Sequence, residues 1–149
     1  MKILFLSQSN SCRSQIAEAL LRDMDKTLEI YSAGLTPESR IEPIAIEVMA
    51  EMGIKIEEKT PENFSKFAEM EFDFLITVGD GTPEELHLPP VKAKRMMHLG
   101  FTNPFRSSSD KCVIRECCRE IRDEILVELD YFYNKILKKS LATPKPKET

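Results

Sequence analysis

The sequence predicts a single α/β domain: a four-stranded parallel sheet with helices on both faces. Three observations predict it. Short apolar runs of strand length alternate along the chain with stretches of helical periodicity. The length, 149 residues, suits one domain with a core of its own. The composition, 42% apolar and 31% charged, is that of a chain that folds around such a core.

The elements follow in order. Residues 2–7 (KILFLS) form a short apolar run, read as a strand buried on both faces. In 14–25, Ile16, Ala17, Leu20, Leu21 and Met24 fall at helical spacing. Residues 28–32 alternate and stop at Ala33-Gly34, a second strand. A second helix over 42–52 ends at Gly53, a natural C′ residue. Residues 61–70 suit a short helix, and 72–78 (FDFLITV) a third strand stopped by Gly79. Glu84 and Glu85 suit the start of a short helical turn. Residues 93–99 read as a fourth strand, and Lys94 and Arg95 mark it as an edge. A long helix over 110–139 takes Asp110 as N-cap, with Val113, Cys117, Ile121, Ile125 and Leu129 as its apolar stripe. The domain spans 1–139; residues 140–149, with two prolines and few apolar groups, read as a flexible C-terminal tail.

Several function classes are disfavoured. Lys plus Arg number 21 against 25 Asp plus Glu, a net charge of −4, which argues against nucleic-acid binding. No apolar run reaches the roughly 18 residues a bilayer crossing needs, so no membrane is expected, and the apolar start is too short for a signal peptide. Cys12, Cys112, Cys117 and Cys118 have neither disulfide-framework nor zinc spacing, and His87 and His98 are too few for a histidine metal site. A cytoplasmic setting with reduced thiols is the expectation.

Ligands of parallel sheets bind beyond the carboxyl ends of the strands. The loop after the first strand, residues 7–14 (SQSNSCRS), is polar apart from Cys12. Wrapped at a helix N-terminus, it would aim several N–H groups at one anion, with Arg13 adding a planar donor fork and Asn10 tolerating a left-handed backbone. The same residues also suit an ordinary capped turn with Ser11 or Ser14 as cap.

The run SQSNSCRSQIAEAL resembles the phosphate-binding loop of the low-molecular-weight protein tyrosine phosphatases and thioredoxin-linked arsenate reductases, the reductase branch best. Their signature is a nucleophilic Cys, five residues, then Arg, Ser and a helix carrying Ala-Glu; Asn10 to Gln15, Ala17 and Glu18 fit it. Ser32-Ala33-Gly34, Leu88-Pro89-Pro90, Gly100-Phe101 and the Ile121-Arg122-Asp123-Glu124-Ile125 run match further, so the resemblance covers about residues 2–137. It implies the low-molecular-weight phosphatase-like, flavodoxin-like form of the α/β fold. It also implies anion binding by Gln8, Ser9, Asn10, Ser11, Cys12, Arg13 and Ser14, with phosphate, sulfate or arsenate as ligand and neither cofactor nor metal.

The resemblance also exposes departures. It puts Ser7 at the place of the nucleophilic Cys, and Asn103, before Pro104, at the place of the Asp that protonates the leaving group. Ser9 replaces a usual Gly, and the stretch 79–87 lacks the reductases' two further cysteines. A thiol beside a helix N-terminus and an Arg ionises readily; a serine needs an adjacent base, which only His87 could supply from elsewhere in the chain. Counting five residues past Cys12 leads to Glu18, so Cys12 is not the motif's nucleophile. Cys117 is expected as a buried apolar residue on the stripe; a more reactive Cys112, near the helix start, is the lesser alternative.

The expected function is therefore a pseudo-enzyme of this family, binding a phosphate-like oxyanion or a phosphorylated partner with little or no catalysis. Thioredoxin is not expected as a partner, since Ser7 cannot start a thiol relay. The alternatives are an active phosphatase or arsenate reductase whose nucleophile was mutated to Ser to trap a complex, and unusual serine-based catalysis. A structural module with an unused loop is disfavoured by Arg13.

Overall fold

The computed structural model describes residues 1–80, 86–106 and 108–139. The expected tail over 140–149 and the turn at Glu84 and Glu85 lie outside the described residues. Strand β1 (Lys2–Ser7) is central, with Ile3 and Phe5 facing one core and Leu4 and Leu6 another. Strand β2 (Glu29–Gly34) pairs along one side of it, and β3 (Glu71–Gly79) along the other. Strand β4 (Lys92–Gly100) lies beyond β3, and all pairings are parallel, in the order β2-β1-β3-β4. The order reverses at β1, which makes its carboxyl end the switch point of the sheet. The register sets Ser7 beside Gly34 and Gly79 beside Gly100, so the loops emerge along one edge.

β4 is the expected charged edge. Lys94 pairs with Asp73 at 3.4 Å, and the Arg95 guanidinium lies 5.3 Å from the centre of the Phe74 ring.

Helical segments cover the two faces unequally. Helices α1 (Arg13–Met24), α2 (Pro43–Ala50) and α3 (Lys111–Tyr131) all contribute to the core of Ile3 and Phe5. Over Leu4, Leu6 and Leu75 the helical cover among the described residues is the 3-10 turn Phe64–Phe67, whose two phenylalanines point inward. The helix expected over 61–70 shrinks to this turn. The Asn63 side chain accepts the Ser65 N–H at 2.9 Å, and the i, i+3 spacing of Phe64 and Phe67 is the one that a 3-10 turn eclipses. Gly53, at φ 75°, follows α2 in the left-handed conformation that the sequence suggests.

Asp110 caps α3 as expected, its Oδ1 accepting the Cys112 N–H at 2.8 Å. The buried stripe, however, is Ile114, Cys118, Ile121, Ile125 and Leu129, not Val113 and Cys117. A strict four-residue step overshoots a 3.6-residue turn and drifts around the helix; steps of four and three keep to one face. Val113 is accordingly exposed and Cys117 half-buried.

The expected long helix changes form at Phe132, where a π-helical turn, Phe132–Leu137, begins. This turn carries two anchors. Phe132 meets Phe74 edge to face, with ring centres 5.2 Å apart, and the Tyr133 hydroxyl donates to Asp25 at 2.8 Å. α2 and α3 are joined at their surface by Arg115–Glu47 at 2.8 Å, Arg119–Glu51 at 2.8 Å and Arg122–Glu51 at 2.9 Å.

Phe132→Ala removes a fully covered ring from the junction of β3 and the π-turn. It is expected to cost about 3–5 kcal/mol, measured by denaturant unfolding. A loss below about 1 kcal/mol would mean that the π-turn is not packed as described.

Candidate functional site

Residues 7–14 join the carboxyl end of β1 to α1, and Asn10 organises them. It is fully buried and left-handed at φ 52°. Its N–H donates to Ser7 Oγ at 3.1 Å and its Nδ2 to Ser14 Oγ at 2.9 Å. Its Oδ1 accepts the Glu62 N–H at 2.9 Å and Gln15 Nε2 at 3.0 Å. The chain after β2 holds the outside of the loop: Thr36 N–H donates to Gln8 O at 2.8 Å, Glu38 N–H to Ser9 O at 3.0 Å and Glu42 N–H to Ser11 O at 2.9 Å. Gly34 permits this approach, since a Cβ there would lie 3.0 Å from Gln8 O and 3.1 Å from Asn10 Cβ.

The loop's carbonyls are thus occupied from outside while its donors stay open. Among the described residues no acceptor takes the N–H groups of Gln8, Ser9, Ser11 and Cys12. Those of Arg13 and Ser14 open α1, where a helix leaves its N–H groups unbonded. Neither Ser11 nor Ser14 caps the helix: the cap residue is Cys12, with no side-chain cap bond, and no acidic residue stands in the first turn. Ser9 Oγ and Ser11 Oγ bond each other at 3.0 Å. A row of free donors at the positive end of a helix is the arrangement that holds an anion.

Ser7 is the last residue of β1 and almost fully buried. Its Oγ lies 2.7 Å from Ser14 Oγ and accepts the Asn10 N–H. No histidine or carboxylate among the described residues bonds to it, and His87 does not reach it.

Arg13 leans away from the loop. Its Nη1 donates to Asp80 Oδ1 at 2.6 Å and to Phe101 O at 2.7 Å. The other Asp80 oxygen takes Arg106 Nη1 at 2.7 Å. Asp80, Phe101 and Arg106 line a cleft of about 410 Å³ with Gly100, Thr102 and Asn103. Asn103 Oδ1 accepts the Phe105 N–H at 3.0 Å, which turns the chain so that Arg106 comes back over Asp80.

The structure therefore brings residues 7–14 together and puts Asn103 in the adjoining cleft, alongside two residues that sequence reasoning missed, Asp80 and Arg106. Asp80 had a signal: it directly follows the strand that borders β1, where ligand-facing residues gather. Of the cysteines, Cys12 and Cys118 are buried and Cys112 is exposed. Among the described residues, no group of three or more His, Cys, Asp or Glu side chains is placed to hold a metal.

A four-stranded parallel sheet with a donor-lined loop at its switch point defines a single-domain α/β protein. The family of low molecular weight phosphotyrosine protein phosphatases matches residues 2–142, and the chain belongs to it. The arsenate reductase of Shouchella clausii is 31% identical over 131 residues, 87% of this chain and 93% of the relative. A solved arsenate reductase in the phosphate binding state superposes with a TM-score of 0.75 at 29% identity, covering 91% of this chain and 98% of that one. A thioredoxin-dependent arsenate reductase from Corynebacterium glutamicum is similar at TM-score 0.59 and 29% identity, covering 87% of this chain and 60% of that one. Thioredoxin therefore has a place among this chain's relatives, and the expectation against it draws no support from them.

Asp80 occupies the Arg13 Nη1 that an anion in the loop would have to win. Asp80→Asn is expected to raise phosphate affinity about three- to tenfold, read by titration of amide shifts. Unchanged or weaker binding would show that Asp80 positions Arg13 for the anion rather than withholding it.

Proposed function

We propose that the loop 7–14 binds a tetrahedral oxyanion (phosphate, sulfate or arsenate, free or carried by a phosphorylated partner), and that the chain acts as a cytoplasmic oxyanion-binding protein with little turnover. The observation that carries this reading is the set of unbonded N–H groups of Gln8, Ser9, Ser11, Cys12, Arg13 and Ser14 around one turn. They belong to the backbone and do not depend on the side chain at position 7. The similarity to a phosphate-binding arsenate reductase supports the same reading.

Catalysis is where the residues fall short. Ser7 Oγ is held by a hydroxyl and an amide, neither of which takes up a proton as a base does. Asn103 donates no proton as a carboxylic acid would, and general-acid catalysis is worth about 10²–10⁴-fold. Asp80 shares the cleft, but both of its carboxylate oxygens are taken, one by Arg13 and the other by Arg106.

Phosphate titrated by NMR is expected to shift the amides of residues 8–14. Spectra unchanged at roughly tens of millimolar phosphate, the weak-binding limit for so small a ligand, would reject the reading.

The same donors would favour a thiolate. Ser7→Cys is expected to create a thiol that is ionised at neutral pH, seen by alkylation rate against pH, and adding Asn103→Asp should raise aryl phosphate hydrolysis about 10²-fold or more over Ser7→Cys alone. Robust hydrolysis by the unaltered chain, abolished by Ser7→Ala, would establish serine catalysis instead.

A further inference from the structure

Two acceptors that line the cleft already hold a cation, and it belongs to the protein. Arg13 Nη1 donates to Asp80 Oδ1 at 2.6 Å and to the Phe101 carbonyl at 2.7 Å. An oxyanion that takes this nitrogen for itself leaves both acceptors without it. Arg106 is bound to the other Asp80 oxygen, at 2.7 Å. The two acceptors stand within reach of one nitrogen, so the group that suits them in place of Arg13 is another N–H donor, and a charged donor bonds a carboxylate more strongly than a neutral one.

Gly100 and Phe101 continue the cleft into a second cavity. They line both the 410 Å³ cleft and an adjoining groove of about 570 Å³ along α3. The rest of the groove is lined by Glu120, Asp123, Glu124, Val127 and Glu128. Asp123 is paired with Arg122 at 3.0 Å, whereas among the described residues no Lys or Arg pairs with Glu120, Glu124 or Glu128. These three glutamates follow one another at four-residue steps along the helix and repel one another. Apolar surface lies among them, since Val127 is 68% exposed. A Lys or Arg side chain matches this composition: its apolar stem lies along Val127 while its charged head meets the carboxylates.

We propose that the cleft and groove recognise a basic residue beside the phosphoryl group, so that the ligand of this site is a phosphorylated peptide segment with Lys or Arg next to its phosphorylated residue. The inference rests on the oxyanion reading of the loop and narrows its ligand class.

The balance of charge favours such a ligand. Free phosphate brings only negative charge toward Asp80 and the glutamates. A phosphoryl group next to Lys or Arg brings negative charge to the loop donors and positive charge to the carboxylates. An acidic neighbour in the same place meets like charge and is rejected. The loop thus selects the phosphoryl group, while Asp80, Glu124 and Glu128 select among the segments that carry one.

Three synthetic peptides of equal length are titrated into the full chain, each with one phosphotyrosine flanked by Lys, by Ala or by Glu, and binding is read from the amide shifts of residues 8–14. The Lys peptide is expected to bind at least about fivefold tighter than the Ala peptide, and the Glu peptide weaker than both. Asp80→Asn, and separately Glu124→Gln with Glu128→Gln, should each lower the Lys-over-Ala ratio about twofold or more, and all three substitutions together should abolish it. The ratio divides out any effect of a substitution on the oxyanion itself. Glu57→Gln with Glu71→Gln makes the same change of charge as the groove pair but outside both cavities, and should leave the ratio unchanged. Equal binding of the three peptides, a preference that survives the combined substitutions, or one that the outside pair lowers as much, would each overturn the proposal and leave the oxyanion reading in place. If no peptide shifts the loop amides, that reading fails and takes the proposal with it.

Discussion

The site depends on one buried residue, Asn10. Its left-handed backbone lets the loop reverse direction between β1 and α1, and its side chain bonds to Ser14, Gln15 and the Glu62 backbone at once. Asparagine is suited to both tasks: among non-glycine residues it adopts the left-handed region readily, and its amide carries donors and an acceptor on one planar group. Without those bonds several buried polar groups would lose partners, each at a cost of about 1–3 kcal/mol. The loop's carbonyls and short side chains are engaged among themselves and with the chain after β2, while its N–H groups stay open.

Charge then decides what the site holds. Free donors and a helix N-terminus make the interior of the loop positive, and Ser7 supplies no negative charge to balance it. Asp80 is the nearest balance, reached by Arg13 across the cleft and shared with Arg106. The pairing is partly exposed, so its strength is modest.

Much of this was legible in the sequence, and the gaps have physical causes. The strands were visible because a sheet covered on both faces needs continuous apolar runs such as KILFLS and FDFLITV. The loop was visible because its polar residues sit between a strand and a helix. The stripe of α3 was misplaced by one residue at its start, where a four-residue step and the true helical pitch diverge. The π-turn at Phe132 has no local signature; it is set by the contact with Phe74 across the core. Asp80 and Arg106 escaped because their role comes from the Asn103 turn, which brings together residues remote in sequence.

The most direct test of the account is a crystal structure of the unaltered chain at saturating phosphate. The account predicts a phosphate inside the loop, within hydrogen-bond distance of the N–H groups of residues 8–14, with the Arg13 guanidinium turned from Asp80 onto the anion and Asp80 still paired to Arg106. An empty loop with Arg13 still bound to Asp80 would contradict it.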